Sequence, residues 1–391
     1  MFGIHLGGVR SPRRWRGEKI VAVADIGSGS AAVAILAVPK EGPARILAAE
    51  RRILPIEERT PEAIIAAIAQ HLSEAGGHVL ATHRKNGGVI PRSVHAIIRA
   101  PWTQSKTVSA KTTLPTSTKI SRKLIVQLSQ QALASDTEFE RSNLIEAGVV
   151  RVEVNGYPTA QPEGKSGDML SVAALVSECD GQLRASVAGV LQQLFGAHPS
   201  TISSGVRAIL SVMRDMPGAP DDFVIMDMAS EGTNFVVVRE GVTIEHAAMP
   251  EGKNSLLRRI GGNNLPADTL AMLRLVARGE CHDPACATLG AAMTKCEPEL
   301  VRSFGDIISK LVSRQRLPNH LILATNEGLM PWLSAFFSRI DFAQFTTTTQ
   351  PFIVSTLKPV DLAHWALPDT MVRTDTGILL AAALVNIKER A

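Results

Sequence analysis

At 391 residues the chain is too long for one compact core, so two lobes are expected. Its composition, 45% hydrophobic and 20% charged, is that of an ordinary folded protein, and a formal net charge of +4 is too slight to argue for a nucleic-acid partner. The apolar run at 377–385 is about half the roughly twenty residues that a membrane-spanning helix needs, and Glu18, Lys19 and Asp25 interrupt any signal-type apolar core. A cytoplasmic protein is expected, with Cys179, Cys281, Cys286 and Cys296 as reduced thiols. Cys281, His282, Cys286 and Cys296 lack the paired spacing of a zinc site.

Arg10, Arg13, Arg14, Arg16 and Lys19 crowd around Trp15 at the N-terminus. Such a run is either a solvated tail or a contact with an anionic membrane surface or an acidic partner. Residues 20–24 are apolar, Asp25-Ile26-Gly27-Ser28-Gly29-Ser30 follows, and 31–38 is apolar again until Pro39, which predicts strand, tight turn, strand. Thr60-Pro61-Glu62 predicts a helix start, with Thr60 as N-cap and Ile64, Ile65, Ile68 and Leu72 recurring at helical spacing. Val94-His95-Ala96-Ile97-Ile98 predicts a strand that Pro101-Trp102 breaks, and the stretch up to Lys123 is rich in Thr, Ser and Lys. A helix over about 121–133 and strands near 148–155 and 170–177 predict a small α+β module.

The second half repeats the first hairpin. Phe223-Val224-Ile225-Met226 predicts a strand, Asp227-Met228-Ala229-Ser230-Glu231-Gly232-Thr233-Asn234 a turn, and 235–238 another strand, with Glu240-Gly241 leading into a third at 242–246. An aspartate at the end of a buried strand is costly without a partner, and the small residues after it leave backbone N–H groups free to cradle an anion. Two such turns facing each other would grip the phosphates of one nucleotide, with Asp25 and Asp227 holding Mg²⁺ through waters. The loose pattern Gly27-x-Gly29-x-x-Ala32 is not a dinucleotide fingerprint, because a strand rather than a helix follows it. Gly164-Lys165-Ser166 is not a P-loop, since Thr159 stands where the first glycine is needed.

At these two turns the sequence resembles the superfamily of actin, the sugar kinases and the heat-shock chaperones, whose two phosphate motifs they match. Thr233-Asn234 is similar to the PilM form of the second motif, where FtsA usually has Thr-Asp. Met249-Pro250-Glu251-Gly252-Lys253-Asn254, Leu321-Ile322-Leu323-Ala324 with Gly328 and Pro331, and Thr376-Gly377-Ile378-Leu379-Leu380-Ala381 resemble the later loop, the adenosine strand and turn, and the last helix. The resemblance is to the PilM and FtsA branch. It implies an α/β, two-lobed actin-like ATPase (ribonuclease H-like) fold with an inserted small α+β subdomain. The implied parts are a basic tail over 1–18, first lobe over 19–100, an inserted partner-binding subdomain over 101–199 and a first-lobe return helix over 200–220. The second lobe is expected over 221–391, with a helical subdomain at about 262–318. ATP with Mg²⁺ is the implied ligand, with Asp25 and Asp227 at the metal. Gly27, Ser28, Gly29, Ser30, Ala229, Ser230, Gly232, Thr233 and Asn234 would lie about the phosphates and Gly328 at the adenosine.

Departures from the family pattern imply slow or absent hydrolysis. Ala31-Ala32 stand near where many pilus-type members carry a lysine, Ser230 and Glu231 replace consecutive glycines, and the adenosine turn has the single glycine Gly328. The resemblance implies a cytoplasmic scaffold of a type IV pilus or related machine, binding a short cytoplasmic peptide of a membrane protein and sitting at the membrane's inner face through that partner, with self-association open. The alternatives are an FtsA-like division protein that polymerises, and a small-molecule kinase. The chain ends directly after the final helix, without the amphipathic anchor usual in FtsA. The module over 101–199, with Lys106, Lys111, Lys119, Arg122 and Lys123, is the expected recognition surface, forming a groove with the first lobe.

Overall fold

The computed structural model describes residues 18–57, 59–196, 198–282, 284–312, 315–348 and 350–390; the basic run at Arg10, Arg13, Arg14 and Arg16 lies outside them. β1 (Lys19–Gly27), β2 (Ser30–Val38) and β3 (Ala44–Ile53) form an antiparallel meander. β1 and β2 are apolar on both sides because both faces of this sheet are covered. α1 (Pro61–Lys85) covers one face, its first turn capped by the Thr60 hydroxyl, which accepts the Ala63 N–H at 3.3 Å. β4 (Ser93–Ile98) then pairs parallel with β1.

β5 (Thr103–Lys119), α2 (Arg122–Ala134), β6 (Leu144–Val154), β7 (Tyr157–Pro158) and β8 (Ser166–Cys179) build a separate sheet in the order β5-β8-β6-β7. Its own core joins Ile120, Ile125 and Leu128 to Val152, Leu170 and Val172. α3 (Gly181–Phe195) returns to the first lobe, where Leu183, Val187, Leu191 and Phe195, four apart on one face, bury with the apolar stripe of α1. The inserted subdomain therefore closes near Cys179 rather than at 199, because the only apolar face of α3 is used by the first lobe.

β9 (Thr201–Ser204) completes the first sheet and α4 (Gly205–Asp215) follows. β10 (Phe223–Met228), β11 (Thr233–Arg239) and β12 (Val242–Met249) repeat the meander. α5 (Lys253–Gly261), α6 (Pro266–Arg278) and α7 (Pro284–Leu311) pack over it, and β13 (His320–Ala324), α8 (Met330–Arg339) and β14 (Ile353–Thr356) extend it with strands parallel to β10. The two lobes share one plan: β3-β2-β1-β4-β9 in the first sheet and β12-β11-β10-β13-β14 in the second.

The chain ends with α9 (Pro359–Leu362), β15 (Ala366–Pro368) and α10 (Thr376–Arg390). Here the expected second lobe over 221–391 is corrected, because β15 pairs with β3 of the first sheet. α10 is buried at every position from 378 to 386, and a helix apolar all round must be covered all round. It lies with α4 in a core that includes Val21 and Val23 of β1 as well as Ile225 of β10 and Val236 of β11, so it joins the lobes. Each fully buried Ile or Leu there contributes about 1.5–3 kcal/mol relative to exposure. The cysteine expectation is also corrected: Cys281 and Cys286 form a disulfide across the α6–α7 connection with Cα atoms 6.1 Å apart, while Cys179 and Cys296 are free and buried.

Candidate functional site

Both aspartates stand at the carboxyl ends of central strands, where the flanking parallel strands also end. Asp25 pairs with Ala32 across the β1–β2 hairpin and lies beside Ile97 of β4; Asp227 pairs with Asn234 and lies beside Ala324 of β13. The chain leaving β4 therefore delivers Arg99 to Asp25, and the start of α4 brings Gly205 against Asp227. Asp25 and Asp227 are each only 3% exposed.

Neither oxygen of Asp25 is free. Arg99 donates from Nε to Oδ1 at 2.7 Å, and Arg51 of β3 donates from Nη2 to Oδ2 at 2.6 Å. Arg51 also grips both oxygens of Asp375, at 2.7 and 2.9 Å, and donates to the Ser30 hydroxyl at 2.9 Å. Asp375 in turn accepts the Ile378 N–H at 3.0 Å, which ties the first turn of α10 into the cluster. Burial alone would raise the Asp25 carboxyl, but the charges and hydrogen bonds of Arg99 and Arg51 outweigh it and hold it below the usual carboxylate range. Asp227 shifts the other way. Burial raises it, and the charge of Arg99 with the hydrogen bond from the Ala100 N–H only partly offsets that.

The two turns touch. Ser28 Oγ accepts the Ser230 N–H at 3.1 Å and the Glu231 N–H at 3.0 Å. A Cβ on Gly29 would fall 1.9 Å from Ser230 Oγ, so glycine there is a condition of the contact. Behind the second turn, the Lys253 and Asn254 N–H groups donate to Ala229 O and Ser230 O at 2.9 Å each, and the Ala229 N–H to Gly232 O at 2.9 Å. Gly252 packs so tightly that its Cβ would lie 2.6 Å from Gly232 N.

Several expected site residues do other work. Thr233 donates its hydroxyl to Glu251 O at 2.7 Å, and Asn234 donates to Thr103 O at 2.7 Å, fixing β11 to the start of β5. Gly27 faces open space, and Gly328 meets Leu270 and Arg274 of α6 rather than either turn. The sequence reading missed Arg51, Arg99, Asp375 and Lys253. The available signal was the same for the two arginines: a cation at or just past the end of an apolar strand, when two buried aspartates needed counter-charge. Lys253 is 7% exposed, and burial lowers its amine to about 8, with Glu231 opposing and Arg274 adding to the drop.

No family model matches the sequence, and no curated protein matches it significantly. Among solved structures, a chain of a PilM-PilN type IV pilus biogenesis complex superposes with a TM-score of 0.54 at 16% identity, covering 97% of this chain and 100% of that one. The chain has the actin-like ATPase fold. More distant are the ethanolamine utilization protein EutJ from Carboxydothermus hydrogenoformans (TM-score 0.45, 11% identity, 94% of this chain and 89% of that one) and a ROK hexokinase from Thermus thermophilus (0.37, 13%, 95% and 99%).

The actin-like fold implies Mg²⁺ and a nucleotide triphosphate between the two turns. The residues do not fit that pair. Of the two carboxylates expected to hold the metal, Asp25 has both oxygens engaged by guanidinium groups, and the N–H groups of Ser230 and Glu231 in the turn that follows Asp227 are taken by Ser28.

Proposed function

We propose that the protein is an actin-like scaffold of a type IV pilus or related membrane machine, with weak or no ATP hydrolysis. It works at the cytoplasmic face of the membrane by holding a short cytoplasmic peptide of a membrane protein. The observation that carries this reading is a groove of roughly 1560 Å³ between the inserted subdomain, α4 and the edge of the second lobe. Its walls mix apolar side chains, among them Val126, Val149 and Met213, with charges of both signs, Arg122, Arg207 and Arg214 beside Asp215, Asp221 and Glu163. Val126 and Val149 are 44% and 37% exposed, so they have apolar surface left for an extended chain to cover. The likeness in fold to a chain from a PilM–PilN complex, over 97% of this chain, supports the same reading. No helix among the described residues is long and apolar enough to cross a membrane, and membrane contact is proposed to be indirect, through the partner, or through the basic N-terminal tail. The charge expected to steer that partner is redistributed. Lys106 is used inside the subdomain, with Asp136 at 2.6 Å, Glu138 at 2.7 Å and the Phe139 ring beneath it, whereas Arg122 lines the groove.

The test is fluorescence anisotropy with labelled peptides copied from the cytoplasmic segments of single-span membrane proteins encoded beside this chain. Val149→Glu and Val126→Glu should weaken the peptide that binds by about tenfold or more, while Lys310→Glu on the exposed side of α7 leaves it unchanged. Binding indifferent to both groove variants would refute the placement.

A further inference from the structure

We infer that protein guanidinium groups take the place of the metal: Arg99 and Arg51 hold both oxygens of Asp25, the carboxylate of the first turn, with Arg99 packed on the same glycine of α4 as Asp227 of the second, so that the cleft is held closed without Mg²⁺ or nucleotide. Four observations converge on this.

The first is the hydrogen bonding. Asp25 uses one oxygen for each arginine, and Arg51 continues to Asp375 at the start of α10. The cluster thus spans β1, β3, the end of β4 and α10, elements drawn from both ends of the chain.

The second is position. Arg99 belongs to the first lobe, yet it packs on Gly205 at the start of α4 beside Asp227 of the second lobe: a Cβ on that glycine would meet Arg99 Cγ at 3.1 Å and Asp227 Oδ2 at 3.2 Å. A cation between the two strand-end carboxylates is what a metal would otherwise supply. Two guanidinium groups, Arg51 and Arg99, already balance the carboxylates of Asp25 and Asp375.

The third is space. The turns meet through Ser28, whose hydroxyl accepts two N–H groups of the second turn, and through Gly29 against Ser230. A phosphate group between them would have to displace these contacts. The fourth is the second anchor between the lobes, α10 with α4, whose apolar surface is buried against both sheets and does not depend on the cleft's contents. Closure therefore comes from the chain itself. The inference stands on the cleft alone and is independent of the partner proposed for the groove.

The experiment is a thermal-shift titration of the full chain with Mg²⁺ alone, ATP with chelator, and Mg²⁺ with ATP at millimolar concentration. No change in midpoint is expected in any of the three. A rise that needs both Mg²⁺ and ATP, and that Asp25→Asn abolishes, would overturn the inference. A second readout uses no ligand. If Asp25 is the carboxylate that the two guanidinium groups hold, Asp25→Asn and Arg99→Gln each lower the midpoint of the ligand-free protein. If Asp25 were a lone carboxylate awaiting a cation, removing its charge would raise that midpoint, and the inference fails. An Asp25→Asn chain that does not fold counts with the lowered midpoint, and the titration of the unaltered protein then decides.

Discussion

Lys253 opens α5 immediately behind the second turn, and replacing it with methionine isolates the cost of a buried ammonium. The side chain is 7% exposed, and no hydrogen bond or salt bridge to its Nζ is formed among the described residues. Burial lowers the amine from its ordinary 10.5 to about 8; Glu231 opposes the drop and Arg274 adds to it. Below about 8 the folded and unfolded chains both carry the proton, so the fold bears the whole penalty of the desolvated charge. Between about 8 and 10.5 only the unfolded chain keeps it, and stability rises with pH; above 10.5 the difference is gone. At about 1.4 kcal/mol per pH unit, the drop corresponds to about 3 kcal/mol at neutral pH. Lys253→Met keeps the length of the side chain without the charge. Because Glu231 then loses a nearby cation, the expected gain is about 1–3 kcal/mol. Urea unfolding of both proteins, at neutral pH and again above pH 10.5, reads it directly. A variant less stable than the parent at neutral pH, or a gain that does not shrink at high pH, would refute the reasoning.

Two further outcomes follow from the same cleft. Gly29→Ala puts a Cβ 1.9 Å from Ser230 Oγ and should cost about 1–3 kcal/mol in urea unfolding, most of it restored by adding Ser230→Gly; equal stability of the single variant would mean that the turns are not in contact. Asp25, held below its ordinary 3.8 by the arginines, contributes stability that is complete above that value and lost as pH falls through the lower folded value. The thermal midpoint of the parent should therefore drop, as pH falls below about 4, by more than that of Asp25→Asn, and parallel acid profiles would contradict the pairing.

What the sequence determined by itself is local. Both hairpins with their aspartates, the Thr60 cap of α1 and the helix capped by Ser121 follow from period, turn residues and capping chemistry carried within a dozen residues. β5 was not legible, because its run of Thr, Ser and Lys carries no apolar alternation; pairing with β8 along its length makes it a strand. The ends of the domains were misplaced for a related reason. An apolar stripe such as that of α3, or an apolar cylinder such as α10, announces that it will be buried but not against which sheet. Tertiary structure alone decided the fate of the two aspartates. Arg51 and Arg99 lie 26 and 74 residues from Asp25, and Asp375 lies 324 from Arg51, distances over which no sequence pattern predicts contact. A buried carboxylate must find a counter-charge, and whether that is a metal ion or an arginine depends on which strand end the fold sets beside it.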